Sequence, residues 1–481
     1  MPAPSWKADR GPLPRSSPSA PALLCRRGAL LGALGLAACG ADPDIQGTSA
    51  PMLRDEPGPR SPTALGNLSD GAPQLVVAGE RLNGRLLRRF YARRGFEPVW
   101  ASRPDQANAL VDAVMRSGEH GLDPELFHAG LLLRRNMFPP IRRELLLSHS
   151  FMTYADALAS GAVPAQRRRD SEALRPEPVD VAVAMDGALD SHDPVEVIEA
   201  LAPATPSYRL LREALARSRS ISRIGGGGPA DLSRRIEVNL ERQRWLPRPL
   251  PADRVWVNVA DQQLVLYRAD LPVFASRVVV GRDIERSQSP EFRADIEASF
   301  FNPPWVIPAD IVTAEIRPRI ERDPDYLLRN NMILRDNGEV EQQPGPQAGL
   351  GLIMFDMPNR FDVYLHDTPE RNIFSRDNRR ISHGCIRVEN PLEFAALLMR
   401  RPVDEIHQGI AAGGTSRNRL PRAVPVFVTY QTAFADAEGT LQFRPDFYDR
   451  DPGIWRQLQR RFQGQGGPVE ANHRPASPRA V

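Results

Sequence analysis

The hydrophobic period changes once along this 481-residue chain, and the change limits the folds open to it. Over residues 81–163 apolar side chains recur at helical spacing, as in Leu82, Leu86, Leu87, Phe90 and Tyr91, and again in Leu110, Val111, Val114 and Met115. That spacing lays one apolar stripe along each helix. Further helices are predicted over 193–217, and then Gly225-Gly226-Gly227-Gly228-Pro229 breaks the pattern as a flexible joint. A helix over 231–244 follows, with Asp231 as its cap. Beyond it the period is two: Val255, Val257 and Val259 alternate with Trp256 and Asn258, and Leu264, Leu266, Val278 and Val280 continue the theme. A helical half followed by a mainly β half is an α+β chain, and its length suffices for two or three domains. Residues 302–350, rich in Pro, Arg and Asn around a helical stretch near 310–321, are too long for an ordinary connection and are expected to form a lid.

The first 40 residues are an address. Arg26-Arg27 precede an apolar run over 28–38 that ends in Leu36-Ala37-Ala38-Cys39-Gly40. A charged region, a short apolar stretch and small residues before a cut make an export signal, and the run is too short to span a bilayer. The ending resembles a bacterial lipoprotein signal, which implies lipidation of Cys39 and a membrane anchor; the paired arginines also resemble a twin-arginine signal. The formal charge of +3 largely resides here, because residues 1–38 hold five basic residues against Asp9. The remainder has 57 basic and 58 acidic residues, so no electrostatic drive toward nucleic acid exists. Of the three cysteines, Cys25 leaves with the signal and Cys39 would carry lipid. One thiol, Cys385, remains, and it cannot form an internal disulfide.

That thiol sits in company. If Phe361-Asp362-Val363-Tyr364-Leu365-His366 is a strand, alternation puts Tyr364 and His366 on one face. If Ile381-Ser382-His383-Gly384-Cys385-Ile386-Arg387-Val388 is extended, His383, Cys385 and Arg387 share a face as well. A thiol with an ordinary pKa near 8.5 needs a base or a cation to attack efficiently at neutral pH. His366 offers the base and Arg387 the cation, while the N–H groups of Gly384 and Cys385 are candidates to face a developing oxyanion. The pattern is acyl transfer through a thioester.

These two segments resemble the YkuD-type L,D-transpeptidases, whose signature is a histidine followed by Ser-His-Gly-Cys-x-Arg. The likeness to the larger Gram-negative subgroup extends to Glu119-His120-Gly121-Leu122-Asp123-Pro124, Asn239-Leu240-Glu241-Arg242-Gln243-Arg244-Trp245-Leu246-Pro247, Phe301-Asn302-Pro303-Pro304-Trp305 and Leu441-Gln442-Phe443-Arg444-Pro445-Asp446. The resemblance implies a helical scaffold domain and a catalytic domain acting on peptidoglycan stem peptides. It implies Cys385 as nucleophile, His366 as base, and amides near Gly384 and Cys385 as oxyanion donors. His383 and Tyr364 would orient the site, Arg387 would hold thiolate or substrate carboxylate, and Trp305 would contact substrate from the lid. Crosslinking with release of D-alanine, no cofactor or metal, acylation by carbapenems and a periplasmic, lipid-anchored location also follow from it. The implied organisation is signal 1–38, tether 39–74, scaffold 75–222, linker 223–230, catalytic domain 231–433 with its lid, and a C-terminal extension 434–481 ending in disorder. Two features depart from the family: the Gly-rich joint stands where a small wall-binding module is usual, and Ser289-Pro290-Glu291-Phe292 replaces Thr-Pro-x-Phe.

Other readings of the same residues stay open at this level. His366, His383 and Cys385 are alternatively three zinc ligands, although Arg387 beside them disfavours a second positive charge. A hydrolase on the same fold, or a non-catalytic envelope lipoprotein, would carry much of the same sequence. Tyr364 and Trp305 are alternatively plain packing, and Arg167-Arg168-Arg169 reads as a solvated face.

Overall fold

Asn83 opens the helical half: its side-chain oxygen accepts the Leu86 amide at 3.1 Å and starts α1 (Gly84–Ala92) by satisfying a donor that the helix itself leaves free. Pro104 and Pro140 occupy the first turns of α2 (Pro104–Met115) and α3 (Pro140–Ser160), where a missing N–H costs no hydrogen bond. Asp180 caps α4 (Val181–Asp190), and α5 (Pro206–Arg223) and α6 (Ala230–Arg244) follow. The apolar stripes read from the sequence meet in one core, with Leu87, Phe90, Tyr91, Leu110, Val111 and Val114 packed around Phe151 and Leu158 of α3. The structure, a computed structural model, describes Leu65, Leu68 and residues 75–223, 230–436 and 438–459. The signal, the Cys39 lipidation site, the Gly225–Gly228 joint and the end of the chain lie outside the described residues. The tether expected over 39–74 is corrected at two points. Leu65 and Leu68 are buried in the scaffold core, and the Leu68 carbonyl accepts Arg88 Nε at 2.6 Å.

The second half is one nine-stranded sheet. In chain order its strands are β1 (Arg254–Asn258), β2 (Gln263–Arg268), β3 (Leu271–Gly281), β4 (Phe292–Phe301), β5 (Ile353–Asp356), β6 (Leu365–His366), β7 (Arg380–Ser382), β8 (Ile386–Val388) and β9 (Ser416–Thr429). They lie in the order β7-β3-β8-β6-β5-β4-β9-β1-β2, and β2 also pairs with β3, which closes the circuit. The predicted alternation holds: Val255, Val257, Leu264, Leu266, Val278 and Val280 all point into one core with Phe355, Leu365 and Ile386. The excursion between β4 and β5 has a small core of its own, built from Ile307, Ile311, Val312, Ile316 and Val340. Such independent packing is what an insertion that folds over a sheet requires.

The helix that follows the Gly225–Gly228 joint runs through the interior. Every residue of 236–246 is buried, although the segment is mostly polar. The reason is that α6 is gripped from both sides. Toward the scaffold, Glu241 accepts the Ala162 and Val163 amides at 3.1 and 2.8 Å, and Arg244 donates to the His120 carbonyl. Toward the β half, Asn239 donates to Thr432 Oγ1 at 2.7 Å and Arg242 to Asp451 at 2.5 Å. The two halves therefore share an interior, because Val238, Trp245, Leu246, Phe427 and Leu458 all pack with the scaffold helices. Arg168 is likewise no solvated residue. Its guanidinium lies 4.0 Å over the Trp245 ring and donates to the Val163 and Leu174 carbonyls.

Candidate active site

The histidine and cysteine segments become neighbours through a parallel pair. Leu365 of β6 faces Ile386 of β8, His366 faces Arg387, and the Ile386 amide donates to the Tyr364 carbonyl at 2.9 Å. Cys385 thus stands at the level of Tyr364, two residues before His366. Both strands are shorter than the sequence predicts, because Asp362 and Gly384 take positive φ angles of 51° and 124° just ahead of them. At Gly384 an added Cβ would meet nothing closer than 3.8 Å, so the requirement for glycine is conformational and not steric. The alternation survives the break: Ser382, Gly384, Ile386 and Val388 are buried, whereas His383, Cys385 and Arg387 face the open side.

Cys385 is the free cysteine of the described residues. Its Sγ lies 3.8 Å from the Asp362 carbonyl. Burial pushes its pKa above the ordinary thiol value, and the Tyr364 backbone amide and the Arg387 charge pull against that shift. His366 is buried, and burial first and Arg387 second lower its pKa to about 3. Its Nδ1 lies 2.6 Å from the Asp367 carbonyl, an oxygen that only accepts, so Nδ1 carries the proton and Nε2 is the basic nitrogen. The Arg387 charge favours the thiolate, but burial outweighs it. At rest the pair is a neutral thiol and a neutral imidazole. Alkylation of Cys385 by iodoacetamide is expected to keep accelerating with pH up to and beyond 9, with no plateau near neutrality. Rates followed by intact mass between pH 6 and 10 check this, and a plateau below pH 8 would contradict it.

The remaining predicted residues divide. His383 is half-exposed and its Nε2 lies 2.6 Å from Glu315 Oε1, which comes from the lid. Arg282 approaches the same carboxylate at 3.8 Å. Arg387 reaches Glu370 at 3.4 Å with Nη1, while its Nε has no hydrogen-bond partner among the described residues. Tyr364 packs half-buried against the sheet core. Trp305 is half-buried, and its ring packs on Gly349 and into the lid's own cluster. The Gly384 amide is withdrawn as an oxyanion donor, because it donates to Ser382 Oγ at 3.1 Å. The Cys385 amide has no hydrogen-bond partner among the described residues. The two histidines and the thiol do not converge on one point, and among the described residues no group of three His, Cys, Asp or Glu side chains is arranged to hold a metal ion.

Three residues at the site escaped the sequence. Glu315 belongs to a stretch read only as lid helix. Ser289 donates to the Gly384 carbonyl at 2.7 Å across 95 residues of sequence. Asp367, buried beside His366, accepts the Leu352 amide at 2.8 Å and so ties down the end of the lid. Two signals were available: Asp367 adjoins His366, and Ser289 opens the segment that stands in place of Thr-Pro-x-Phe.

Residues 252–410 match the family model described as the L,D-transpeptidase catalytic domain, and residues 85–215 match the scaffold domain. A Haemophilus influenzae protein named "Putative L,D-transpeptidase" is 25% identical over 397 residues, which cover 77% of this chain and 78% of that protein. Among solved structures, an avibactam carbamoyl enzyme is similar at 12% identity and a TM-score of 0.20, covering 37% of this chain and 49% of that one. An L,D-transpeptidase from Mycobacterium smegmatis is similar at 12% identity and a TM-score of 0.22, covering 37% of this chain and 58% of its own. The chain thus spans about half the length of these two solved structures.

Proposed function

We propose that this chain, whose residues 252–410 are an L,D-transpeptidase catalytic domain, joins peptidoglycan stem peptides in 3→3 crosslinks through a thioester on Cys385. The observation that supports this reading is the parallel β6–β8 pair, which sets Arg387 opposite the buried His366 and Cys385 at the level of Tyr364, with the Arg387 charge acting on both groups. In the acylation half, His366 Nε2 takes the thiol proton as Sγ attacks the carbonyl between meso-diaminopimelate and the terminal D-alanine. The resulting oxyanion receives the unpaired Cys385 amide. His366 then returns the proton to the departing nitrogen, D-alanine leaves, and the acyl group remains on sulfur. In the second half the side-chain amine of another stem attacks the thioester, its proton passes to His366, and the departing thiolate takes that proton back from His366, which restores the neutral pair.

A neutral resting pair suits this sequence. Charge separates only as the carbonyl is attacked, so the desolvation that penalises a resting thiolate becomes an advantage once the charge has moved to an oxygen facing fixed donors. The Arg387 guanidinium, whose Nη1 reaches the exposed Glu370 at 3.4 Å, supports a role in holding the stem-peptide carboxylate. The same reading takes the chain as an exported periplasmic lipoprotein, anchored through Cys39, and as a target that carbapenems acylate at Cys385.

Incubating the protein with purified tetrapeptide muropeptides and separating the products by mass spectrometry tests the reading. Release of D-alanine with formation of dimers is expected. Release of D-alanine without dimers would indicate hydrolysis, and neither product would sink the proposal.

A further inference from the structure

We propose that Ser289 is a positioning residue for acyl transfer: its hydroxyl fixes the Gly384–Cys385 peptide so that the Cys385 amide faces the oxyanion, and Tyr448 and Arg450 of the C-terminal extension hold Ser289 in that role. The inference rests on the reading of Cys385 as nucleophile.

The peptide group between Gly384 and Cys385 is planar and trans, so the Gly384 carbonyl and the Cys385 N–H point in opposite directions. Whatever holds one aims the other. The carbonyl is held from the interior by Ser289 Oγ at 2.7 Å, and Ser289 is fully buried. The proton of that hydroxyl has a single possible direction. The Gly281 amide donates to Ser289 Oγ at 2.9 Å, and an amide nitrogen cannot accept, so the hydroxyl must spend its own proton on the Gly384 carbonyl. The Cys385 N–H is thereby turned to the opposite side, that of the half-buried thiol, where it has no partner among the described residues. A hydrogen bond to the carbonyl also polarises the peptide and strengthens its N–H as a donor.

Ser289 is itself immobilised. Tyr448 donates to the Gly281 carbonyl at 2.5 Å and accepts the Ser289 amide at 3.3 Å, so one phenol joins the end of β3 to the segment that carries the hydroxyl. Arg450 donates to the Ser289 carbonyl at 2.9 Å and is paired with Glu291 at 3.2 Å, with both side chains buried. Asp446 fixes the start of that segment by accepting the Arg450 and Asp451 amides at 3.1 and 2.8 Å. Gly281 permits the close approach, since a Cβ there would lie 1.9 Å from the Ser287 carbonyl. The C-terminal extension thus backs the Gly384–Cys385 peptide through Ser289.

Two reactions of the same sulfur separate positioning from mere support. Acylation by p-nitrophenyl acetate passes through an oxyanion, whereas alkylation by iodoacetamide is a direct displacement and forms none. In the full chain, Ser289→Ala should slow the nitrophenolate burst by roughly 10- to 100-fold, the range for a misaimed oxyanion donor, and leave the alkylation rate within about twofold of wild type. Ser289→Thr, which keeps the hydroxyl, should restore the burst. Tyr448→Phe gives the same pattern in weaker form and serves if Ser289→Ala fails to fold. A burst unchanged in Ser289→Ala, or burst and alkylation falling together, would overturn the proposal. A wild-type chain whose Cys385 gives no burst overturns it along with the nucleophile reading, whereas a wild-type burst beside an unaffected variant overturns the positioning role alone.

Discussion

Cys385→Ala is expected to abolish D-alanine release, dimer formation and the mass shift produced by a carbapenem, while leaving the thermal midpoint within about 1 °C of wild type. The loss should be at least ~10³-fold, because the covalent route disappears and the site retains only its ability to bind. Stability should hardly change, since Cys385 is half-buried and faces the open side, where truncation to Ala opens no closed cavity. Cys385→Ser sharpens the argument. A hydroxyl ionises far less readily than a thiol, and His366, with its pKa lowered to about 3, is a weak base for deprotonating one in advance. The serine variant should therefore be nearly as inactive as the alanine variant, although it keeps a nucleophile of similar shape. Intact-mass spectra after exposure to a carbapenem, taken beside muropeptide digests, check all three proteins. An adduct on Cys385→Ala, or crosslinking that survives in it, would remove Cys385 from the mechanism.

How far the site was legible depended on sequence distance. Period-two alternation grouped His383, Cys385 and Arg387 correctly, although the chain is not a continuous strand there, because a glycine at φ 124° shifts the backbone without changing which side chains are buried. It paired His366 with Cys385 only as candidates, since the parallel register that joins β6 to β8 depends on a crossover of some twenty residues that carries no local signal. Gly384 was misread for a related reason: a free amide looked available, but Ser382 three residues from the Cys385 carbonyl folds back to occupy it. The packing of Trp305 was hidden for the opposite reason: the lid is large enough to have a core of its own, and Trp305 packs against it from the root, a role that no local pattern signals. The segment 239–247 was recognisable as a landmark without any physical reason for it, because each polar side chain in it answers a group at least 30 residues away in sequence or sits between two that do.

That segment carries the largest stability prediction. Glu241 has four donors on its two oxygens: the Ala162 amide at 3.1 Å, the Val163 amide at 2.8 Å, Arg244 Nη1 at 2.7 Å and Trp245 Nε1 at 3.0 Å. Neither Glu241 nor Arg244 exposes any side-chain surface. Glu241→Ala leaves a guanidinium and two backbone amides buried without their acceptor, and the cost of breaking a buried pair in this way is about 3–5 kcal/mol. The strain spreads further, because Gly161, which ends α3 at φ 91°, approaches so closely that a Cβ there would sit 2.5 Å from Glu241 Oε1. Glu241→Gln is the informative partner: it retains an acceptor oxygen for one pair of donors but aims an NH₂ at the other, so it should be destabilised nearly as much. Glu213→Ala is the control, since its pair with Arg217 spans 3.9 Å between exposed side chains and should count for less than about 0.5 kcal/mol. Urea unfolding followed by Trp fluorescence and far-ultraviolet circular dichroism measures the series. If α6 is the shared interior of both halves, the two probes should shift together in Glu241→Ala. A midpoint matching that of Glu213→Ala would mean that the scaffold and the β half are joined by their apolar contacts, with the polar helix contributing nothing net.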